Sequence, residues 1–160
     1  MNRRGYGIIF FGRDIMEIDS LYIEQVIATR TWRLRQQVLY PEGSLKDVMI
    51  DADFEGTHFA ASMEGELVGV ISVFKMEEGR YQFRKFAVIP HFQGYGIGTA
   101  LLKSVYDFCT IWNGTSLFCD ARIEVVLFYE KLGMHIKGER FFKKELEYVR
   151  MEMDLSHHLA

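Results

Sequence analysis

The sequence predicts an α/β (α+β mixed) fold, a mixed sheet covered by helices, and three observations carry that reading. Apolar residues at three- and four-residue spacing over 98–112 mark an amphipathic helix. Two strand-like runs joined by Glu64-Gly65-Glu66 mark a hairpin. The elements as a whole run β-α-β-β-β-α-β-α-β-β, an order that alternates hairpins with crossovers.

Each element has its own warrant. Residues 22–28 read as a first strand, and Thr29 is placed to cap a short helix carrying Trp32, Leu34, Val38 and Leu39. Pro41, Gly43 and Ser44 end that helix. The acidic stretch 46–55 is read as loop or irregular helix. Strands follow at 57–63 and 67–75, the second rich in β-branched Val68, Val70, Ile71 and Val73. A longer strand over 80–89 stops at Pro90. The helix over 98–112 places Leu101, Leu102, Val105, Phe108, Cys109 and Trp112 on one stripe and ends at Asn113-Gly114. A short strand at 115–119 and a helix at 123–132 come next, the latter with Val125, Phe128 and Leu132 as its apolar stripe. Strands at 134–137 and 146–155 complete the chain.

Composition bounds the function. With 160 residues, 49% hydrophobic and 26% charged, the chain has the make-up of one ordinary globular domain. That domain is expected over 20–155, after an N-terminal extension (1–19) and before a C-terminal tail (156–160). A net charge of -3 argues against a nucleic-acid partner. No apolar run reaches membrane-spanning length, and Ile8–Phe11 is too short for a signal-peptide core. Cys109 and Cys119 have no metal-site spacing and are too few for a disulfide framework, which suggests a cytoplasmic protein with reduced thiols and no metal.

The chemistry concentrates in Gln93-Gly94-Tyr95-Gly96-Ile97-Gly98, between a buried strand and the N-terminus of the clearest helix. Glycines at alternate positions let backbone N–H groups converge, and the helix end adds partial positive charge, so the turn is suited to phosphate oxygens. It is not a Walker A loop, because Thr99-Ala100 follows Gly98 where Lys-Ser/Thr would be needed. The spacing is not the dinucleotide fingerprint G-x-G-x-x-G either. The plain alternative is a tight strand–helix connection that binds nothing.

These residues resemble the Q/R-x-x-G-x-G/A signature of the GCN5-related N-acetyltransferase (GNAT) family. Phe86-Ala87-Val88-Ile89-Pro90 is similar to the stretch that leads into it, and Ala121-Arg122 followed by Phe128-Tyr129-Glu130-Lys131-Leu132-Gly133-Met134 resembles a second family segment. The resemblance covers about residues 22–155 and implies a mostly antiparallel sheet of about six to seven strands. It further implies acetyl-CoA as cosubstrate and transfer of its acetyl group to a primary amine of a small molecule or peptide. Phe86, Ala87 and Val88 would run beside pantetheine, and Gln93, Gly94, Tyr95, Gly96, Ile97, Gly98 and Thr99 would hold the pyrophosphate. Tyr129 would be the general acid, although at the edge of the Val125, Phe128 and Leu132 stripe a core tyrosine with a satisfied hydroxyl would look identical in the sequence. Asp120, Glu124 and Glu147-Tyr148 depart from the family pattern; Glu124 would contact the pantetheine arm or cap the helix beginning near Ile123.

No general base emerges. Asp53, Glu55, His58, Glu77 and Tyr81 lie near strand ends, but each has a stronger plain reading, the carboxylates as solvated loop charges and His58 as a hydrogen-bonded strand histidine. The acidic run Asp47, Asp51, Asp53 and Glu55 reads first as a solvated surface run; as a steering surface it would attract a cationic amine, whereas Arg84 or Lys85 pointing into the cleft would favour a carboxylate-bearing one. The rival classes are an acyl-CoA-binding module without transfer activity and a domain that binds no CoA. A homodimer through the C-terminal strands stays open.

Overall fold

The computed structural model describes residues 20–156, together with the backbone of short strands at Asn2–Arg3, Ile8–Phe11 and Asp14–Glu17. The expected extension over 1–19 otherwise lies outside the described residues, as does the tail beyond Ser156. Seven further strands are β1 (Leu21–Val26), β2 (Thr57–Met63), β3 (Glu66–Lys75), β4 (Arg80–Val88), β5 (Ser116–Arg122), β6 (His135–Lys143) and β7 (Leu146–Asp154). The α-helices are α1 (Thr29–Leu39), α2 (Leu45–Val48), α3 (Ile97–Ile111) and α4 (Val126–Lys131). The pairing is mixed and mostly antiparallel, as the sequence led one to expect.

Two compact units divide the chain, one of Met1–Val73 with Lys85–Val105 and one of Phe74–Arg84 with Tyr106–Ala160. In the first, β1 pairs antiparallel with β2, and β2 with β3. Alternate residues of β2 and nearly all of β3 are buried, which explains the β-branched run of the latter. Leu34, Ala60, Val70 and Ala87 form a buried cluster there, with Val26, Val38, Leu67 and Ile89 packed around it. Helix α3 presents Ile97, Leu101, Leu102 and Val105 inward at helical spacing.

In the second unit β4 and β5 form a parallel pair, β5 and β7 are antiparallel, and β6 pairs with β7. Leu117, Cys119 and Ala121 on β5 and Val149 and Met151 on β7 are buried at two-residue spacing. Phe118 is buried on the opposite face, because the guanidinium groups of Arg80 and Arg150 lie 4.4 and 4.6 Å from its ring centroid.

Several boundaries differ from expectation, each for a local reason. Thr29 is not a cap: Ala28 holds the N-cap position with no side-chain bond, and the hydroxyl of Thr31 donates to the Ala28 carbonyl at 2.7 Å. Within 46–55, Ser44 and Asp47 form a capping box that starts α2. Strand β6 runs on to Lys143, past the expected 137, because almost every residue in it is exposed and no apolar alternation marks its second half. Trp112 is exposed just beyond the end of α3 and does not join the buried stripe. The stripe expected of Val125, Phe128 and Leu132 is also absent. Ile123–Val125 is a 3-10 turn, whose tighter winding shifts the phase before α4 begins, so Val125 and Phe128 are exposed and Tyr129 is the buried residue of α4.

Candidate active site

In the first unit the stretch from Phe86 to Thr99 is a strand, a 3-10 turn at Pro90–Phe92, a glycine turn and the start of α3. Pro90 fixes the exit from the strand, since it cannot continue a ladder. The Gln93 side-chain amide donates to the Val88 carbonyl at 2.9 Å and ties the turn to the strand end. Gly94 and Gly96 have φ of +85° and +82°, a region that costs other residues about 1–2 kcal/mol. A Cβ at Gly94 would meet nothing within 4 Å, so conformation rather than space demands glycine there.

The first helical bond of α3 runs from the Ala100 N–H to the Gly96 carbonyl at 3.0 Å. The amides of Ile97, Gly98 and Thr99 therefore precede the ladder, as the first donors of any helix do. Ile97 is buried and anchors the turn, while Gly94, Gly96 and Thr99 are exposed. Ala87 is buried, and Phe86 and Val88 are half-buried beside it. The structure thus brings Phe86–Val88 and Gln93–Thr99 into one continuous feature.

One device in this unit has no sequence signal. Lys85 sits in β4 with φ of +54°, uncommon for a residue with a Cβ, so the strand is locally deformed just before Phe86. Its ammonium donates to the Tyr40 hydroxyl at 2.7 Å and lies 4.7 Å from the centre of that ring.

In the second unit the parallel ladder pairs only Arg80, Tyr81 and Gln82 with Ser116, Leu117 and Phe118. Both strands continue beyond the last pair. Tyr129 is 8% exposed, with ring centroids of Phe83 and Phe128 at 5.7 and 5.2 Å. Burial pushes its phenol well above the usual tyrosine range, and Cys119 adds to the effect. The hydroxyl therefore stays protonated at neutral pH. Asp120 accepts from Arg150 Nε at 3.0 Å. Among the described residues Glu124 makes an exposed ion pair with Arg122 at 3.5 Å, and no side-chain cap bond forms at the turn beginning at Ile123.

The base candidates separate clearly. Asp53 and His58 belong to a sealed network with Arg35, Ser72 and Trp32. Arg35 Nη1 donates to Asp53 Oδ2 at 2.9 Å and to the Val48 carbonyl at 2.8 Å, while its Nη2 donates to Asp53 Oδ1 at 3.0 Å and Ser72 Oγ at 2.8 Å. Trp32 Nε1 and the Ile50 N–H also donate to Asp53 Oδ2. Burial alone would raise the Asp53 pKa, but these hydrogen bonds outweigh it and hold the carboxyl below its ordinary value. His58 Nε2 lies 2.7 Å from the Asp53 carbonyl, so it carries the proton, and Nδ1 accepts from Ser72 Oγ at 2.6 Å. Burial lowers its pKa and keeps it neutral. Asp53 is thus not the solvated charge expected of it. Asp47 accepts from the Ser44 N–H at 2.6 Å as part of the α2 cap, so within the acidic run Asp53 is buried in the network and Asp47 serves the cap, while Asp51 and Glu55 are exposed. Glu55 and Glu77 are exposed, and Tyr81 is buried against Phe108.

The two cysteines are free and buried, and burial pushes the Cys109 thiol up to about 12 and raises Cys119 too, which leaves neither as a nucleophile. Among the described residues no helix is long and apolar enough to cross a membrane.

Comparison with known proteins places this geometry. Residues 29–155 match the acetyltransferase (GNAT) domain family. A Bacillus subtilis (strain 168) protein, the uncharacterized N-acetyltransferase YitI, is 24% identical over 135 residues, covering 79% of this chain and 87% of that protein. The fold is shared with an N-acetyltransferase structure from Lactobacillus plantarum at a TM-score of 0.78 and 16% identity, over 85% of this chain and 99% of that one. It is also shared with a GNAT family acetyltransferase from Elizabethkingia anophelis that has acetyl-CoA bound, at 0.68 and 19%, over 86% and 99% of the two chains. The family match spans the glycine turn and α4 alike, and on that ground this chain belongs to the GNAT acetyltransferase family and is an acetyl-CoA-dependent N-acetyltransferase.

Proposed function

We propose that the chain, through a domain spanning 20–155, transfers the acetyl group of acetyl-CoA to a primary amine of a small molecule or peptide by direct attack. The observation that carries this reading is the glycine turn. Its left-handed Gly94 and Gly96 and the amides of Ile97, Gly98 and Thr99 suit a pyrophosphate, which takes donors and partial positive charge together. Phe86, Ala87 and Val88, just past the deformation at Lys85, would offer backbone groups to the pantetheine arm. Gln93 contributes by holding the turn, since its side chain is bound to Val88.

In the reaction the neutral amine nitrogen forms a bond to the thioester carbon, giving a tetrahedral oxyanion that a backbone amide would stabilise. The C–S bond then breaks, the departing sulfur takes a proton from the Tyr129 hydroxyl, the amine proton passes to solvent, and the Tyr129 phenolate takes a proton back from solvent to close the cycle. The burial that raises the Tyr129 pKa also disfavours a bare thiolate, so donor and acceptor are raised together. Asp53 and His58 are committed to internal hydrogen bonds, which supports water as the route for the amine proton.

Calorimetric titration with acetyl-CoA, followed by acetylation assays over a panel of amines, tests the reading. Micromolar binding near one site per chain with turnover of at least one amine is expected. Binding without turnover of any amine would favour a CoA-holding module, and no binding at millimolar ligand would overturn the whole reading.

A further inference from the structure

The second unit holds a groove of about 670 Å³ that none of the acyl-transfer chemistry uses. It is lined at the N-terminal ends of β4 and β5 by Arg80 and Ser116, and on β6 and β7 by His135, Lys137, Glu152 and Asp154. Strand register puts these groups on one face: Arg80 is beside Ser116, Ser116 is opposite Asp154, and Glu152 is opposite His135. Residues Phe86–Val88, by contrast, end the strand that Arg80 begins.

Three groups in this groove are chemically unfinished. Ser116 is 7% exposed and its hydroxyl has no hydrogen-bond partner among the described residues. Glu152 Oε2 is likewise buried without a hydrogen bond from any described residue. The Lys137 ammonium, on a side chain 68% exposed, comes within 3.4 Å of that oxygen, close enough for attraction but outside hydrogen-bond geometry. Among the described residues Arg80 has no carboxylate partner, and its guanidinium rests on the Phe118 ring. Buried polar groups in folded proteins are normally satisfied, so a cation, a hydroxyl and a carboxylate met only by an exposed lysine, gathered around one groove, describe the complement of a ligand.

We infer that this groove binds a zwitterionic α-amino acid, with the ligand carboxylate on Arg80 and the Ser116 hydroxyl and the ligand ammonium on Glu152. A planar guanidinium matches a carboxylate by two parallel N–H donors. The ligand ammonium takes the place that exposed Lys137 now holds imperfectly. The occupied groove is a second small-molecule site, separate from the glycine turn in sequence and in chemistry.

Calorimetric titration of the full chain, without acetyl-CoA, against a panel of L-α-amino acids tests this. Saturable binding of at least one amino acid is expected, weakened about tenfold or more in Glu152→Gln and in Arg80→Gln, a change of about 1.4 kcal/mol per tenfold. Ser116→Ala, which removes only the hydroxyl, is expected to weaken it as well. The N-acetyl and methyl-ester forms of the bound amino acid each lack one charge and are expected to bind at least tenfold more weakly. Chemical-shift changes on titration should centre on Ser116, His135 and Glu152. The inference is overturned if no amino acid binds at about 10 mM, far above any useful affinity. It is equally overturned if binding survives both charge substitutions or if the blocked forms bind as well as the zwitterion.

Discussion

Arg35 and Asp53 meet through two hydrogen bonds of 2.9 and 3.0 Å, with both side chains fully shut off from solvent. The pair joins α1 to the 3-10 turn at Asp51–Glu55, and Ser72 and His58 extend it to β3 and β2. Removing one member leaves the other as a buried unpaired charge. Asp53→Ala is therefore expected to cost about 3–5 kcal/mol in urea unfolding, far more than loss of a surface pair. A loss under 1 kcal/mol would show that the network is not sealed in solution.

The same network predicts a pH dependence. His58 has a pKa below its ordinary 6.5, so the unfolded chain takes up a proton that the folded chain refuses. Its contribution to stability is complete above about pH 6.5 and is lost as pH falls through the lowered folded value. The Asp53 carboxyl, also lowered, adds a second loss that begins below its unfolded value of 3.8. Melting temperature should fall on acidification below pH 6.5, and His58→Gln should flatten that first slope. An identical slope in the variant would place the titration elsewhere.

At Lys85 the strand carries a positive φ, so the usual preference is inverted. Glycine in a strand is ordinarily worse than alanine, yet here Lys85→Gly is expected to be more stable than Lys85→Ala by about 1 kcal/mol. Both variants lose the bond to Tyr40, which cancels in the comparison. Chemical denaturation of the two proteins gives the difference directly.

Gly96→Ala tests the turn. The methyl group puts a Cβ on a residue held in the left-handed region and strains the turn that presents the amides, so acetyl-CoA binding should weaken about tenfold or more while the fold persists. Calorimetry with circular dichroism as a folding control reads both.

Tyr129→Phe keeps the ring contacts with Phe83 and Phe128 and removes only the proton. A fall in kcat of about 10²-fold or more, with CoA affinity within about twofold, is expected for a general acid. Unchanged turnover would make Tyr129 a core tyrosine.

How much of this was legible beforehand varies with the kind of information involved. The glycine turn, the meander before it and the helix after it rest on local chemistry: alternate glycines, a proline stop and a 3.6-residue apolar period are written into adjacent positions. The family and its fold class followed from those positions and from the Phe128–Met134 segment. Arg35 was invisible because a buried arginine and a solvated one look alike in a sequence, and only its partners 13 to 37 residues away distinguish them. The second half of β6, beyond the expected 137, escaped for the opposite reason, since an exposed strand carries no burial pattern to read. The phase slip that buries Tyr129 and exposes Val125 came from one 3-10 turn, a choice between two helical windings of similar energy. Local conformational preference therefore determined the turn and the class from sequence alone. Burial, pairing and the open groove on β4–β7 were decided by the tertiary structure, because each depends on which distant residues share a face.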